Sequence, residues 1–213
     1  MTSHKPHSLC LISTASPVLA PPTSITATTM SLSWTQPGSA VDSYTVSYTY
    51  TIRQCGSGVM PGSQQITDGN ARSFVLSGLE EDSDYTIALT ANSAMGTFVS
   101  NQVSATTSTA APSGGPSSVT FGDSNLTSIT VQWGEIPCSE RNGEITGYTV
   151  EYSSTNPPHS GSLTVSGANR SLVTIVGGLI PRTNYSFQVR AQEASSSEST
   201  SGTAKTTTPP GAL

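Results

Sequence analysis

Apolar and polar residues alternate along three stretches of this chain. Met30, Leu32 and Trp34 share one face of a first strand, Tyr85, Ile87, Leu89 and Ala91 one face of a second, and Tyr185, Phe187, Val189 and Ala191 one face of a third. A period of two marks a half-buried β-strand, because successive side chains leave opposite sides of the backbone. The stretch Leu172 to Val176 is nearly continuous in apolar residues, and its pattern leaves open which side chains point inward. Turn chemistry separates the strands at intervals of about ten residues. Asp68-Gly69-Asn70, Asn142-Gly143 and Gly177-Gly178 are expected to supply positive φ. Asn156-Pro157-Pro158 cannot continue a central strand, since proline has no amide proton to give a ladder. No segment carries a convincing helical period.

The pattern repeats. Ser31-Leu32-Ser33-Trp34 corresponds to Thr130-Val131-Gln132-Trp133, 99 residues on, and Leu79 with Tyr85 corresponds to Leu179 with Tyr185, 100 residues on. Between these anchors Tyr44-Thr45-Val46-Ser47-Tyr48 matches Tyr148-Thr149-Val150-Glu151-Tyr152 at an offset of 104, so the second copy has a longer loop after its tryptophan. Internal duplication at this period divides the chain into two domains of about 100 residues each, the ordinary size of a sandwich domain.

A tryptophan in the second strand, Tyr-x-Val-x-Tyr in the third and Leu-x5-Tyr before the sixth together resemble the fibronectin type III family, and the set occurs twice. The resemblance implies an all-β fold of two tandem seven-stranded Greek-key β-sandwiches, immunoglobulin-like in class. It makes Trp34, Tyr44, Leu79 and Tyr85, with Trp133, Tyr148, Leu179 and Tyr185, core residues. It also makes each Leu-x5-Tyr a tyrosine corner, whose phenol bonds back to the backbone. The expected organisation is an N-terminal segment at 1–15 that is disordered or a linker, a first domain at 16–108, a linker at 109–115, a second domain at 116–208 and the start of another linker or tail at 209–213. Pro-rich stretches at Pro17 to Pro22, Pro112 to Pro116 and Pro209-Pro210 punctuate that order and suggest a longer array of like domains.

Composition agrees with strands: of 213 residues, 10% are charged and 34% hydrophobic, too few of the charged and helix-favouring types that clothe helices. A net charge of −5 leaves no basic stripe for nucleic acid or an anionic membrane, and no run reaches the roughly 18 apolar residues of a spanning helix. Leu9-Cys10-Leu11-Ile12 after Lys5 imitates a secretory leader, but the apolar stretch is short and broken by Ser13 and Thr14. Cys10, Cys55 and Cys138 are an odd number at wide spacing, which excludes a dense disulfide framework. Free or externally paired thiols are expected, with a Cys10–Cys55 bridge as the alternative.

Signs of chemistry are few. His4, His7 and His159 have no cysteine or carboxylate at zinc-ligand spacing and read as solvated loop residues. There is no Gly-x-Ser-x-Gly elbow, phosphate loop or His-Glu-x-x-His, so neither catalysis nor a cofactor nor a metal is expected of this chain. Glu80, Glu81, Asp82 and Asp84 form the densest acidic cluster, and polar solvation is expected there rather than calcium. Sequons stand at Asn125, Asn169 and Asn184. Because Tyr185 should face the core, Asn184 should face solvent and accept a glycan.

The loops Pro137 to Gly147 and Glu193 to Gly202 should share one end of the second sandwich, where Arg141, Asn142 and Glu144 are candidate partner contacts. No Arg-Gly-Asp tripeptide and no Trp-Ser-x-Trp-Ser pattern occurs. The resemblance implies an extracellular module that binds or spaces proteins, part of an adhesion protein or receptor ectodomain. Its alternatives are the non-catalytic ectodomain of a receptor tyrosine phosphatase or kinase, and linker domains of a secreted enzyme.

Overall fold

A computed structural model describes residues 16–56, 58–166, 173–194 and, for the backbone alone, 202–207. Its contacts divide the chain into two units between Ser108 and Thr109. The first unit holds β1 (Thr29–Ser33), β2 (Ser43–Ile52), β3 (Met60–Ile66), β4 (Ser73–Ser77), β5 (Ser83–Ser93), β6 (Gly96–Val99) and β7 (Val103–Thr106). The second holds β8 (Ser117–Ser124), β9 (Ile129–Gly134), β10 (Ile145–Thr155), β11 (Pro158–Ser166), β12 (Val173–Val176), β13 (Asn184–Glu193) and β14 (Gly202–Thr207). The one helical element among the described residues is a 3-10 turn at Cys138–Glu140.

Each unit is two antiparallel sheets. In the first, β1 pairs with β4, and single bridges from Leu19 to Trp34 and Thr23 to Ser31 add an entering segment to that sheet. The opposite sheet runs β3-β2-β5, with β6 and β7 both laid against β5. In the second unit the sheets run β12-β9-β8 and β11-β10-β13-β14. The sandwich architecture expected from the repeat is thus what the chain forms.

Alternation decides which residues fill the two cores. Met30, Leu32, Tyr44, Val46, Ile87, Leu89 and Ala91 are buried in the first, and Val131, Val150, Phe187, Val189 and Ala191 in the second. Each fully buried Val, Leu, Ile, Met or Phe side chain among them contributes about 1.5–3 kcal/mol relative to exposure. The eight residues expected from the resemblance, Trp34, Tyr44, Leu79, Tyr85, Trp133, Tyr148, Leu179 and Tyr185, all lie in these cores. Each tryptophan tilts against the first tyrosine of the next strand, Trp34 on Tyr44 at 5.1 Å and Trp133 on Tyr148 at 5.3 Å between ring centroids, both at 58°.

Two local expectations change. The apolar run before Val176 resolves into alternation, with Val176 buried while Val173 and Ile175 point to solvent, so half its apolar side chains do not serve the core. Asp68-Gly69-Asn70 does not use positive φ, unlike Asn142 at 55° and Gly178 at 75°. Gly69 is needed instead for close approach, since a Cβ there would overlap the Val41 carbonyl oxygen. The Asn70 amide donates to Asp68 Oδ1 at 2.8 Å and closes the turn.

Candidate functional site

The loop after Trp133 is built from the second unit's own residues. Pro137 precedes the 3-10 turn Cys138–Glu140, and Arg141 then folds back over it. Arg141 Nε donates to the Ile136 carbonyl at 2.9 Å and Nη2 to Glu135 Oε2 at 2.6 Å, with only 13% of its side chain exposed. Asn142 adopts φ 55°, and its Nδ2 donates to the Ala111 carbonyl at 3.0 Å while its own carbonyl accepts from Ala110 at 2.9 Å. The Ser113 amide donates to the Glu140 carbonyl at 2.9 Å, so the segment expected as a linker is tied to this loop. Of the three candidate contacts, Glu144 is the one that is exposed. Arg141 and Asn142 spend their donors on holding the loop.

The second candidate loop begins beside the first: the Ala194 amide donates to the Glu144 carbonyl at 3.0 Å. Glu193 is 1% exposed, and its carboxylate lies against Gly143, where a Cβ would come within 2.7 Å of Oε1. Residues 195–201 lie outside the described residues.

Both tyrosine corners are formed. The Glu80 amide donates to Tyr85 Oη at 2.7 Å and the Ile180 amide to Tyr185 Oη at 3.1 Å. Burial pushes the Tyr85 phenol up to about 12; the Glu80 amide works against that shift, and neighbouring Tyr50, Glu80 and Tyr48 add to it. Tyr50 is raised too, by burial first and then by Glu80 and Tyr48.

His159 is not the solvated loop residue expected. It lies in edge strand β11, opposite Ser154, with Nδ1 2.7 Å from Tyr185 Oη and its ring 5.7 Å from that of Tyr152. The acidic cluster also departs from expectation, because Asp82 is 3% exposed. Arg53 Nη1 lies 3.0 Å from Asp82 Oδ1, the Arg53 amide donates to the Asp82 carbonyl at 3.1 Å, and Thr106 Oγ1 donates to Asp84 Oδ1 at 2.6 Å. These acids close the turn that follows β2. Among the described residues no group of three or more His, Cys, Asp or Glu is placed to hold a metal, and no helix is long and apolar enough to cross a membrane.

Cys55 and Cys138 are each disulfide-bonded, which corrects the expectation of free or externally paired thiols. Stable disulfides belong to oxidising compartments. Cys10, and with it the proposed Cys10–Cys55 bridge, lies outside the described residues, as do His4, His7 and Asn169. Asn125 sits in the β8–β9 turn, where its Oδ1 accepts the Thr127 amide at 3.0 Å. Asn184 is exposed at the start of β13.

Among the described residues the two units share a concavity at the same place. A shallow groove of about 400 Å³ lies over β11, β10 and β13, lined by Ser153, Ser160, Ser162, Ser186, Glu151 and Gln188. Its counterpart over β3, β2 and β5, about 350 Å³, is lined by Ser47, Thr49, Pro61, Thr86, Ala88 and Gln102.

Comparison with known proteins places these features. Residues 36% identical to Protein sidekick of Drosophila melanogaster extend over 111 positions, 51% of this chain and 5% of that protein. Netrin receptor DCC of Rattus norvegicus is 31% identical over 134 residues, 62% of this chain and 9% of the receptor. The chain therefore matches a small part of much longer relatives. The crystal structure of chicken CNTN1 FN1-FN3 domains superposes with a TM-score of 0.64 at 20% identity, over 91% of this chain and 67% of that one, and so shares the fold. The Fibronectin type III domain family model matches residues 19–106 and again 114–207. With both sandwiches covered, the chain belongs to the fibronectin type III family.

Proposed function

We propose that this chain is a non-catalytic extracellular module of a cell-surface adhesion protein or receptor, whose two sandwiches mediate or space contacts with a protein partner. The observation that carries the reading is the tandem family match within a small part of long relatives that include a netrin receptor. The site geometry supports it. Arg141, Asp82 and His159, residue types that could signal chemistry, are spent on the fold. Function lives in sites grafted on folds, and here the solvent-facing candidate is the loop around Glu144. Domain limits of 16–108 and 116–208 remain part of this proposal.

A second reading has its own support: Receptor-type tyrosine-protein phosphatase F of Rattus norvegicus is 30% identical over 118 residues, 55% of this chain and 6% of that protein. On that reading a catalytic domain lies elsewhere in a parent chain.

The test is to secrete the chain from eukaryotic cells, multimerise it, and probe a panel of cell-surface ectodomains. Binding that Glu144→Arg abolishes identifies a contact module. Folded, secreted protein that binds nothing identifies a spacer, and failure to be secreted in folded form overturns the extracellular assignment.

A further inference from the structure

The groove over β11, β10 and β13 has a chemistry of its own. Its walls are the hydroxyls of Ser153, Ser160, Ser162 and Ser186 and the amide of Gln188, with Tyr152 and Gly161 between them. The one charged group, Glu151, lies 3.7 Å from Arg190, which neutralises it. Such a lining offers many neutral donors and acceptors beside one aromatic ring, and no uncompensated charge for an ion. A neutral polyhydroxylated ligand, a carbohydrate, satisfies it best.

The chain carries the means to deliver one. Asn184-Tyr185-Ser186 is a sequon, and the buried Tyr185 fixes Asn184 on the solvent face of β13 together with Ser186 and Gln188. Ser186 thus belongs to both the sequon and the groove. From β13 the groove crosses β10 to β11, about 10 Å at the usual strand spacing, a path a glycan attached at Asn184 would follow over the sheet. We propose that Asn184 carries an N-linked glycan whose first sugars lie in this groove. The other described sequon, at Asn125, is placed differently, with its Oδ1 folded into a tight turn.

The first sandwich is the internal contrast. Its groove is similar in position and size, but Asp84 stands where Asn184 stands, bonded to Thr106 and 4.0 Å from Arg53. The same surface is therefore left bare there, open to a partner, while a glycan would cover it in the second sandwich and steer partners toward the loops.

The proposal rests on the extracellular reading, yet the two fail separately. The full chain, secreted from a eukaryotic host, is digested and its glycopeptides mapped by mass spectrometry. A glycan at Asn184 that Asn184→Gln removes is expected. Ser153→Arg fills the groove from an exposed position and leaves the sequon intact. Native enzymatic release of the Asn184 glycan should then be several-fold faster than from the unmodified chain, because a seated glycan is shielded. Equal release rates overturn the seating, and a secreted, folded chain bare at Asn184 overturns the whole proposal without touching the adhesion reading.

Discussion

Asp82 and Arg182 occupy one position in the two sandwiches, three residues before the corner tyrosine and both in the left-handed region, at φ 41° and 56°. Around them the same bonds repeat. The Leu79 amide donates to Thr28 at 3.1 Å and that of Leu179 to Thr127 at 2.9 Å. Ser83 Oγ donates to the Glu81 carbonyl at 2.8 Å and Thr183 Oγ1 to the Pro181 carbonyl at 3.1 Å. Between these fixed points the first corner reads Glu-Glu-Asp and the second Ile-Pro-Arg. The corner is thus specified by its backbone bonds, its leucine and its tyrosine, and it tolerates opposite charges in between. What covers each tyrosine also differs. Tyr50 stacks on Tyr85 at 5.2 Å and 14°, whereas His159 meets Tyr185 edge-on at 5.8 Å and 78° while bonding its hydroxyl.

The core behind each corner gives the largest contrast. Phe187 packs against Phe121 at 5.3 Å and against Tyr152 at 6.1 Å, while its counterpart Ile87 is aliphatic, and both are fully buried. Phe187→Ala should cost about 3–5 kcal/mol and Ile87→Ala about 2–4, since the larger side chain leaves the larger cavity. The chain has two tryptophans, one in each sandwich, so urea unfolding in a Trp34→Phe or Trp133→Phe background reports one domain at a time. Equal losses would show that the aromatic cluster adds nothing beyond ordinary core packing.

The hydroxyls come next. Tyr85→Phe and Tyr185→Phe each leave a backbone amide without its acceptor, at about 1–3 kcal/mol. The loss should be larger at Tyr185, because His159 Nδ1 loses its partner in the same stroke. Unchanged unfolding midpoints would remove the corner from the account of stability.

Raising the pH probes the first corner. With Tyr85 held up to about 12 by burial, the folded state binds the extra proton between the ordinary phenol value of about 10 and that limit. Stability from this group is complete below about pH 10 and falls as pH rises toward about 12. The slope should shrink in Tyr85→Phe, leaving the part that the raised Tyr50 phenol supplies, measured as urea midpoints on either side of about pH 10. An undiminished slope assigns the effect to another group.

The sandwich was legible in the sequence because its signals are local or duplicated: alternation in β5 and β13, and the Trp and Tyr landmarks that recur about 100 residues apart. What escaped depends on partners set by register. His159 reaches Tyr185 across 26 residues, only because the hairpin after Thr155 places it opposite Ser154 in the edge strand. Asp82 looked like one of four solvated acids until the end of β2 brought Arg53 beside it. Gly69 signalled a turn correctly but for another cause, the nearness of Val41. For Arg141 and Asn142 the residue types suggested contact surface, whereas Arg141 reaches back to Ile136 and Asn142 to Ala111. Polarity in a loop sequence does not say whether a donor faces solvent or the loop's own carbonyls.

The finest test of the comparison is the pair Arg182→Gly and Asp82→Gly. A left-handed conformation costs a long side chain roughly 1–2 kcal/mol and glycine almost nothing, while glycine also loosens the unfolded chain by about 0.5–1 kcal/mol. Arg182 is exposed, so its replacement should leave a net gain of about 0.5 kcal/mol. Asp82 begins from less strain, because aspartate tolerates this region, and its carboxylate is buried against Arg53 at 3.0 Å. Removing it forfeits that pair, whose Arg53 partner is half exposed, and should destabilise by about 1 kcal/mol. Opposite signs in the urea midpoints of the two domains would establish that one backbone position is tuned by its side-chain partner in the first corner and merely tolerated in the second. A gain in both domains would mean that the Arg53–Asp82 pair contributes no net stability, and a loss in both that Arg182 stores no strain for glycine to relieve.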